Sequence, residues 1–157
     1  MGLFARLRGA HRDTKELGLG VWRRAHDRFE RGLDRFHQVL EGIEDDPQYN
    51  ELYNGLASIA NRLADELDEV RRICVRAQAA RPSEGTDIPP GASAVHRALS
   101  KAANDLAQAA QAAAMARLDA ESHAAADLQT GLDSVRRRAD VVVEGVASAR
   151  AAADALG

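Results

Sequence analysis

Apolar residues recur along this chain in alternating steps of three and four. The longest such run is Leu128, Leu132, Val135, Ala139, Val142, Val146, Ala149, Ala153 and Leu156. A repeat averaging 3.5 residues keeps one apolar seam on one side of a helix, and no strand geometry produces it. The spacing predicts a helix whose seam, carried by Leu128, Leu132, Val135, Val142, Val146 and Leu156, is an interaction edge. Its cover is a helix of the same chain, of a second copy, or of both.

Upstream, Leu19, Trp22, His26, Phe29, Leu33, Phe36, Leu40 and Ile43 repeat the pattern and predict a helix over about 14–44, starting at Thr14 or at Leu19. Asp13 and Glu16 have the spacing of a capping box for it, with Gly18 and Gly20 weakening its first turns. Asp46-Pro47 reads as a fresh start, with Asp as N-cap and Pro at the first helical position. From there Tyr49, Leu52, Leu56, Ile59, Leu63, Val70, Ile73 and Ala77 predict a helix over 47–80, interrupted only by Glu66. A second stripe, Tyr53, Ala60, Leu67 and Cys74, widens its apolar face, so this helix is expected to be central.

Residues 81–92, RPSEGTDIPPGA, hold three prolines and two glycines and predict a loop open to disorder or proteolysis. After Ser93 another seam follows: Val95, Leu99, Ala102, Leu106, Ala109, Ala113 and Ala116. Its phase does not match that of Leu128 onward, so a slip falls around Asp119 to His123. No Gly or Pro stands there, and the reading is one helix over 93–155, roughly 90 Å long at 1.5 Å per residue. The fold class is all-α: an elongated antiparallel bundle or coiled coil of three long helices, four if the last breaks near His123. Residues 1–12 form a separate N-terminal segment and 13–157 one helical domain.

Composition sharpens the picture of the core. Of 157 residues 45% are hydrophobic but only 4% aromatic, so the apolar surface is mostly alanine, leucine and valine. Each buried alanine removes little surface from water, and stability must come from long seams. The net charge of −3 gives no global attraction to nucleic acid. Cys74 is the only cysteine, which rules out an intramolecular disulfide and suits a reducing cytoplasm. No apolar run reaches the ~18–20 residues of a membrane-crossing helix.

The first twelve residues, MGLFARLRGAHR, place Leu3, Phe4 and Leu7 at helical spacing beside Arg6, Arg8 and Arg12, without an acid. Such a segment suits the headgroup layer of an anionic membrane, where each arginine adds ~1 kcal/mol. The membrane-contact candidates are Leu3, Phe4, Arg6, Leu7 and Arg8; the other reading is a terminus packed on the bundle or frayed. The opening resembles the start of the phage-shock protein A family, whose amphipathic N-terminal helix begins Met-Gly-apolar-Phe-x-Arg. The resemblance covers about seven residues. The acidic-Pro signature that the family carries soon after its first helix falls here only at Asp45, Asp46 and Pro47, so the family's function is not carried over.

Candidate chemistry is sparse. Glu30, Asp34, His37 and Glu41 form a polar ladder with one carboxylate-x-x-His interval, the spacing of di-iron bundles, but lie one residue off the seam and lack a matching motif. His26 and Glu66 sit on facing seams, either as a buried pair that fixes register or as edge residues reaching water. Cys74 lies on an apolar stripe without an activating base. Arg136, Arg137 and Arg138, with Arg71, Arg72 and Arg76, are interspersed with acids and do not make an unopposed basic face. The sequence therefore predicts no catalytic residue, no metal and no cofactor. It predicts a non-catalytic cytoplasmic interaction or scaffold module that binds a protein partner or itself as a homo-oligomer, and rests on the inner membrane face through residues 3–8. The competing reading is a four-helix-bundle protein that binds a metal or small ligand.

Overall fold

The computed structural model describes residues 2–122 and 128–156, and they are all-helical. Five α-helices follow in order: α1 (Leu3–Leu17), α2 (Val21–Glu41), α3 (Asn50–Ala80), α4 (Ser93–Ser122) and α5 (Leu128–Asp154). A single 3₁₀ turn, Pro47–Tyr49, leads into α3. Among the described residues there is no strand.

Two departures from the expected count have physical causes. The first helix does not run from 14 to 44 but is cut at residues 18–20, where Gly18 takes φ +71° and ends α1. Asp13 and Glu16 consequently lie inside α1 and cap nothing; both carboxylates reach across to Arg71 on α3. The single rod over 93–155 is also absent. It is replaced by α4 and α5, which pack on each other more extensively than any other pair. Together they give each seam a cover that a rod twice the length of α3 would leave half exposed. The expected break position, His123, lies outside the described residues.

Helices α2 to α5 form a four-helix bundle. Each has two full neighbours: α2 touches α3 and α4, and α5 touches α3 and α4, with only slight contact across the α3–α4 diagonal. Cross-contacts set the directions. Trp22 meets His96 and Arg28 bonds Asn104, so α2 and α4 run parallel. Gln129 bonds Glu51, Arg62 pairs with Asp140 and Arg76 with Asp154, so α3 and α5 also run parallel. The bundle is thus two antiparallel hairpins, α2–α3 and α4–α5, laid side by side in the same sense.

The core follows the seams read from the sequence. Trp22, Phe29 and Phe36 are at most 1% exposed, and Leu132, Val135, Ala139, Val142, Val146, Ala149, Ala153 and Leu156 are all buried within the chain, Leu128 partly so. The predicted interaction edge of α5 is therefore spent on α3 and α4. Leu19 and Tyr53, counted on the stripes, are largely exposed. Leu19 lies in the interhelix break, and Tyr53 sits at the outer edge of α3's face.

Residues 81–92 are tied down rather than open. The Val21 N–H donates to the buried Ser83 hydroxyl at 3.1 Å, so α2 is capped by a residue 62 positions away. The Ser83 N–H donates to Gln78 Oε1 at 3.0 Å, and the Trp22 indole donates to the Arg81 carbonyl at 2.8 Å. Gly20 is required by this closeness, since a Cβ there would lie 2.4 Å from the Ser83 backbone. At the other end Asp46 caps the start of the 3₁₀ turn, accepting from the Gln48 N–H at 3.0 Å.

Candidate functional site

Helix α1 is the part of the molecule that the bundle does not absorb. From Leu3 to Arg12 every residue is exposed except the half-buried Ala5. Leu3, Phe4 and Leu7 are 69, 77 and 57% exposed, against a bundle core in which leucines are nearly all below 9%. At 100° per residue, Leu3, Phe4, Leu7 and His11 share one side of the helix. Asp13, Glu16 and Leu17 share another, and that side faces the bundle: Leu17 is fully buried and the two acids meet Arg71. The apolar side accordingly points away from the rest of the chain. The five expected contact residues, Leu3, Phe4, Arg6, Leu7 and Arg8, all lie on this outstanding stretch and all are exposed.

The charges around it are unequal. Arg6, Arg8 and Lys15 make no ion pair within the described structure, whereas Arg12 lies 3.2 Å from Glu16. Arg71 holds Asp13 at 2.6 Å and Glu16 at 2.8 Å through separate nitrogens of its guanidinium. The Arg71 hydrogen bond, with further help from Arg12, keeps the Glu16 carboxyl below its ordinary pKa. Both carboxylates of α1 are thus occupied by guanidinium partners.

The other sequence candidates fall into place as structural groups. His26 is buried, and its Nδ1 lies 2.9 Å from Asp27 Oδ1, so it does not pair with Glu66. His26, Asp27 and Glu30 bring ligand-type atoms within 4.8 Å of one another. The second oxygen of Asp27 is already held by Arg23 at 3.1 Å, and a cation there would sit beside that guanidinium. Glu30, Asp34 and Glu41 are exposed along α2 and His37 is only half-buried, so the ladder projects outward where a di-iron site needs it inward. The outward ladder follows from its offset of one residue from the seam, since one residue turns a side chain by 100°, whereas spacing alone left the partner of His26 open.

Glu66 stays half-buried on α3, where burial first, and then the charge of Glu69, raise its carboxyl pKa against the pull of Arg62 and Arg150. Burial pushes the Cys74 thiol up to about 12, with Asp27 adding to it. His96 is held below the usual histidine range by burial, with Arg24 and Arg28 nearby. Of the basic clusters, Arg72 pairs with Glu69, Arg76 with Asp154 and Arg136 with Asp133.

Sequence reading missed the outer face of α4. Residues 106–116 contain no charged side chain, and Met115 and Leu118 are 54 and 53% exposed. Shallow grooves of about 450 and 400 Å³ flank it, one lined by Ala112, Met115, Gly131 and Ser134 with Asp119 and Arg138 at its rim, the other by Val39, Ala107, Ala110 and Ala114 with Arg35. The eleven-residue gap in charge was visible in the sequence and marks this face.

Fold and site together define a class: a four-helix bundle carrying an outstanding basic amphipathic helix. Comparison of the chain with protein-family models, with curated proteins and with solved structures gives no match.

Proposed function

We propose that this protein is a non-catalytic helical module that attaches peripherally to an anionic membrane surface through α1, at the cytoplasmic face. The observation that carries the reading is the exposure of Leu3, Phe4 and Leu7 on a helix whose apolar side is turned away from the bundle. Arg8 and Lys15 flank that side and Arg6 stands exposed on the opposite side of the helix, all three free of ion pairs in the described structure. An amphipathic helix of this kind lies in the headgroup layer with its apolar side chains among the acyl ends and its arginines near lipid phosphates. Three apolar side chains give marginal affinity, so attachment is reversible, and it strengthens if several copies act together. No described helix is long and apolar enough to cross a membrane, which leaves α1 as the membrane-seeking element.

Flotation with phosphatidylglycerol-containing vesicles tests this directly. The full chain is expected to float with anionic vesicles, to lose flotation on deletion of residues 1–12 or on Leu3→Ser/Phe4→Ser/Leu7→Ser, and to float poorly with phosphatidylcholine alone. Equal flotation of wild type and triple variant, or none of either, ends the proposal.

A second reading, in which the protein associates with itself or scaffolds another protein, is supported by the charge-free outer face of α4 with Met115 and Leu118 exposed. A monomeric mass in light scattering at every concentration would count against self-association.

A further inference from the structure

Helix α1 carries a contradiction. Its N-terminal two-thirds, residues 3–12, hold three arginines and no acid, while its last turn and a half carries Asp13 and Glu16. Two carboxylates one turn from the lipid-facing stretch would oppose an anionic surface about as strongly as two basic residues favour it. Neither carboxylate is left bare. Asp13 and Glu16 are three residues apart and project toward α3, where one side chain, Arg71, reaches both at 2.6 and 2.8 Å. A forked guanidinium gives each carboxylate a nitrogen of its own in fixed geometry, where a lysine ammonium would share one nitrogen between them. Arg71 is itself only 24% exposed, so this ionic clasp is less screened than the other surface pairs of the molecule, most of whose basic partners are about half exposed or more. Leu17, fully buried, and Gly18, in a left-handed conformation, hold the end of α1 against α3 so that the two acids face Arg71.

Resting on the proposed membrane attachment, we infer that Arg71, a residue of the bundle, is a specificity-determining residue for lipid binding: together with Arg12 it offsets the two carboxylates of α1, so that the remaining bases of the helix, Arg6, Arg8 and Lys15, act on anionic lipid unopposed. The residue acts through Asp13 and Glu16 and not by touching lipid. The clasp also explains why two acids are tolerated on a helix that is otherwise a cationic amphipath.

The test uses flotation of the full chain with phosphatidylglycerol-containing vesicles at low and high salt, with circular dichroism as the check on folding. Arg71→Gln is expected to bind more weakly by roughly tenfold at low salt, the loss of one to two basic residues' worth of attraction, and by less at high salt. Asp13→Asn/Glu16→Gln removes the same clasp but leaves no carboxylate, and is expected to bind at least as well as wild type. Combining the three substitutions should return Arg71→Gln to near wild-type binding. A structural role for Arg71 predicts instead that all three variants bind weakly, and that result overturns the inference. So does an Arg71→Gln variant that binds as well as wild type. If the wild type itself fails to float, the membrane proposal has failed, which is a different outcome from a wild type that floats and a clasp that does not matter.

Discussion

Glu66 is the one charged residue on the buried side of α3, and its cost is readable through pH. Its carboxyl pKa is raised in the folded state, chiefly by burial, so the ionised form is the disfavoured one. The sign follows: the folded state holds the proton more tightly, so ionisation lowers stability above the folded pKa, and the penalty is gone below the unfolded value. Glu66→Gln should therefore raise Tm at neutral pH by roughly 1–3 °C, a modest shift because the side chain remains partly in water. The gain should vanish below about pH 4, where wild type is protonated as well. Thermal melts at pH 7 and pH 3.5 decide it, and an undiminished gain at low pH would show that charge is not the cause. Cys74 gives a second residue-scale reading. With a thiol pKa of about 12 and no exposed sulfur, it should resist thiol reagents in the native protein and react only on unfolding. Rapid labelling of the native state by Ellman's reagent would contradict the packing of α3 against α2.

At the scale of elements, the helices of the bundle were legible because their seams had to be buried somewhere. Trp22, Phe29 and Phe36 on α2, and Val135, Val142 and Val146 on α5, lie on the predicted seams and are fully buried. The boundaries were less legible. Nothing local in residues 113–125 forces a turn, and the division into α4 and α5 is dictated by the need to cover two alanine-rich seams against each other, a demand no local propensity states. The break at residues 18–20 was signalled by its two glycines, but reading Asp13 and Glu16 as a cap hid it, since the partner that explains them, Arg71, is over fifty residues away. The same long reach makes Gly20 critical. Any side chain there meets the Ser83 backbone and displaces the hydroxyl that caps α2. Gly20→Ala should cost about 1–3 kcal/mol, the combined expense of overpacking and a lost cap. Denaturant melts followed by the Trp22 fluorescence measure it, and an unchanged midpoint would mean the 81–92 strap yields freely. The candidate site was visible in the sequence as an amphipathic stretch, but whether it packed on the bundle was not, because exposure is a property of neighbours and not of spacing.

For the molecule as a whole, the two hairpins lie parallel, α2 beside α4 and α3 beside α5, joined only through residues 81–92. The ends of α2 and α4 and the starts of α3 and α5 therefore sit at one pole, and the strap, the root of α1 and Leu156 gather at the other, where Arg71, Ser83 and Arg81 tie them together. Acids accumulate at the first of these poles, where Glu41, Glu44, Asp45, Asp46 and Glu51 follow one another without a base between them.

Because α2 lies along α4 and α3 along α5 over most of their lengths, the hairpins hold each other by packing and not only by the polypeptide link over the strap. Severing it between Gly85 and Asp87, which lie exposed beyond the buried Ser83, leaves two complete halves with their mating surfaces intact. Reassembly from separate pieces is thus written into the topology, as is the exchange of a half with an identical neighbour.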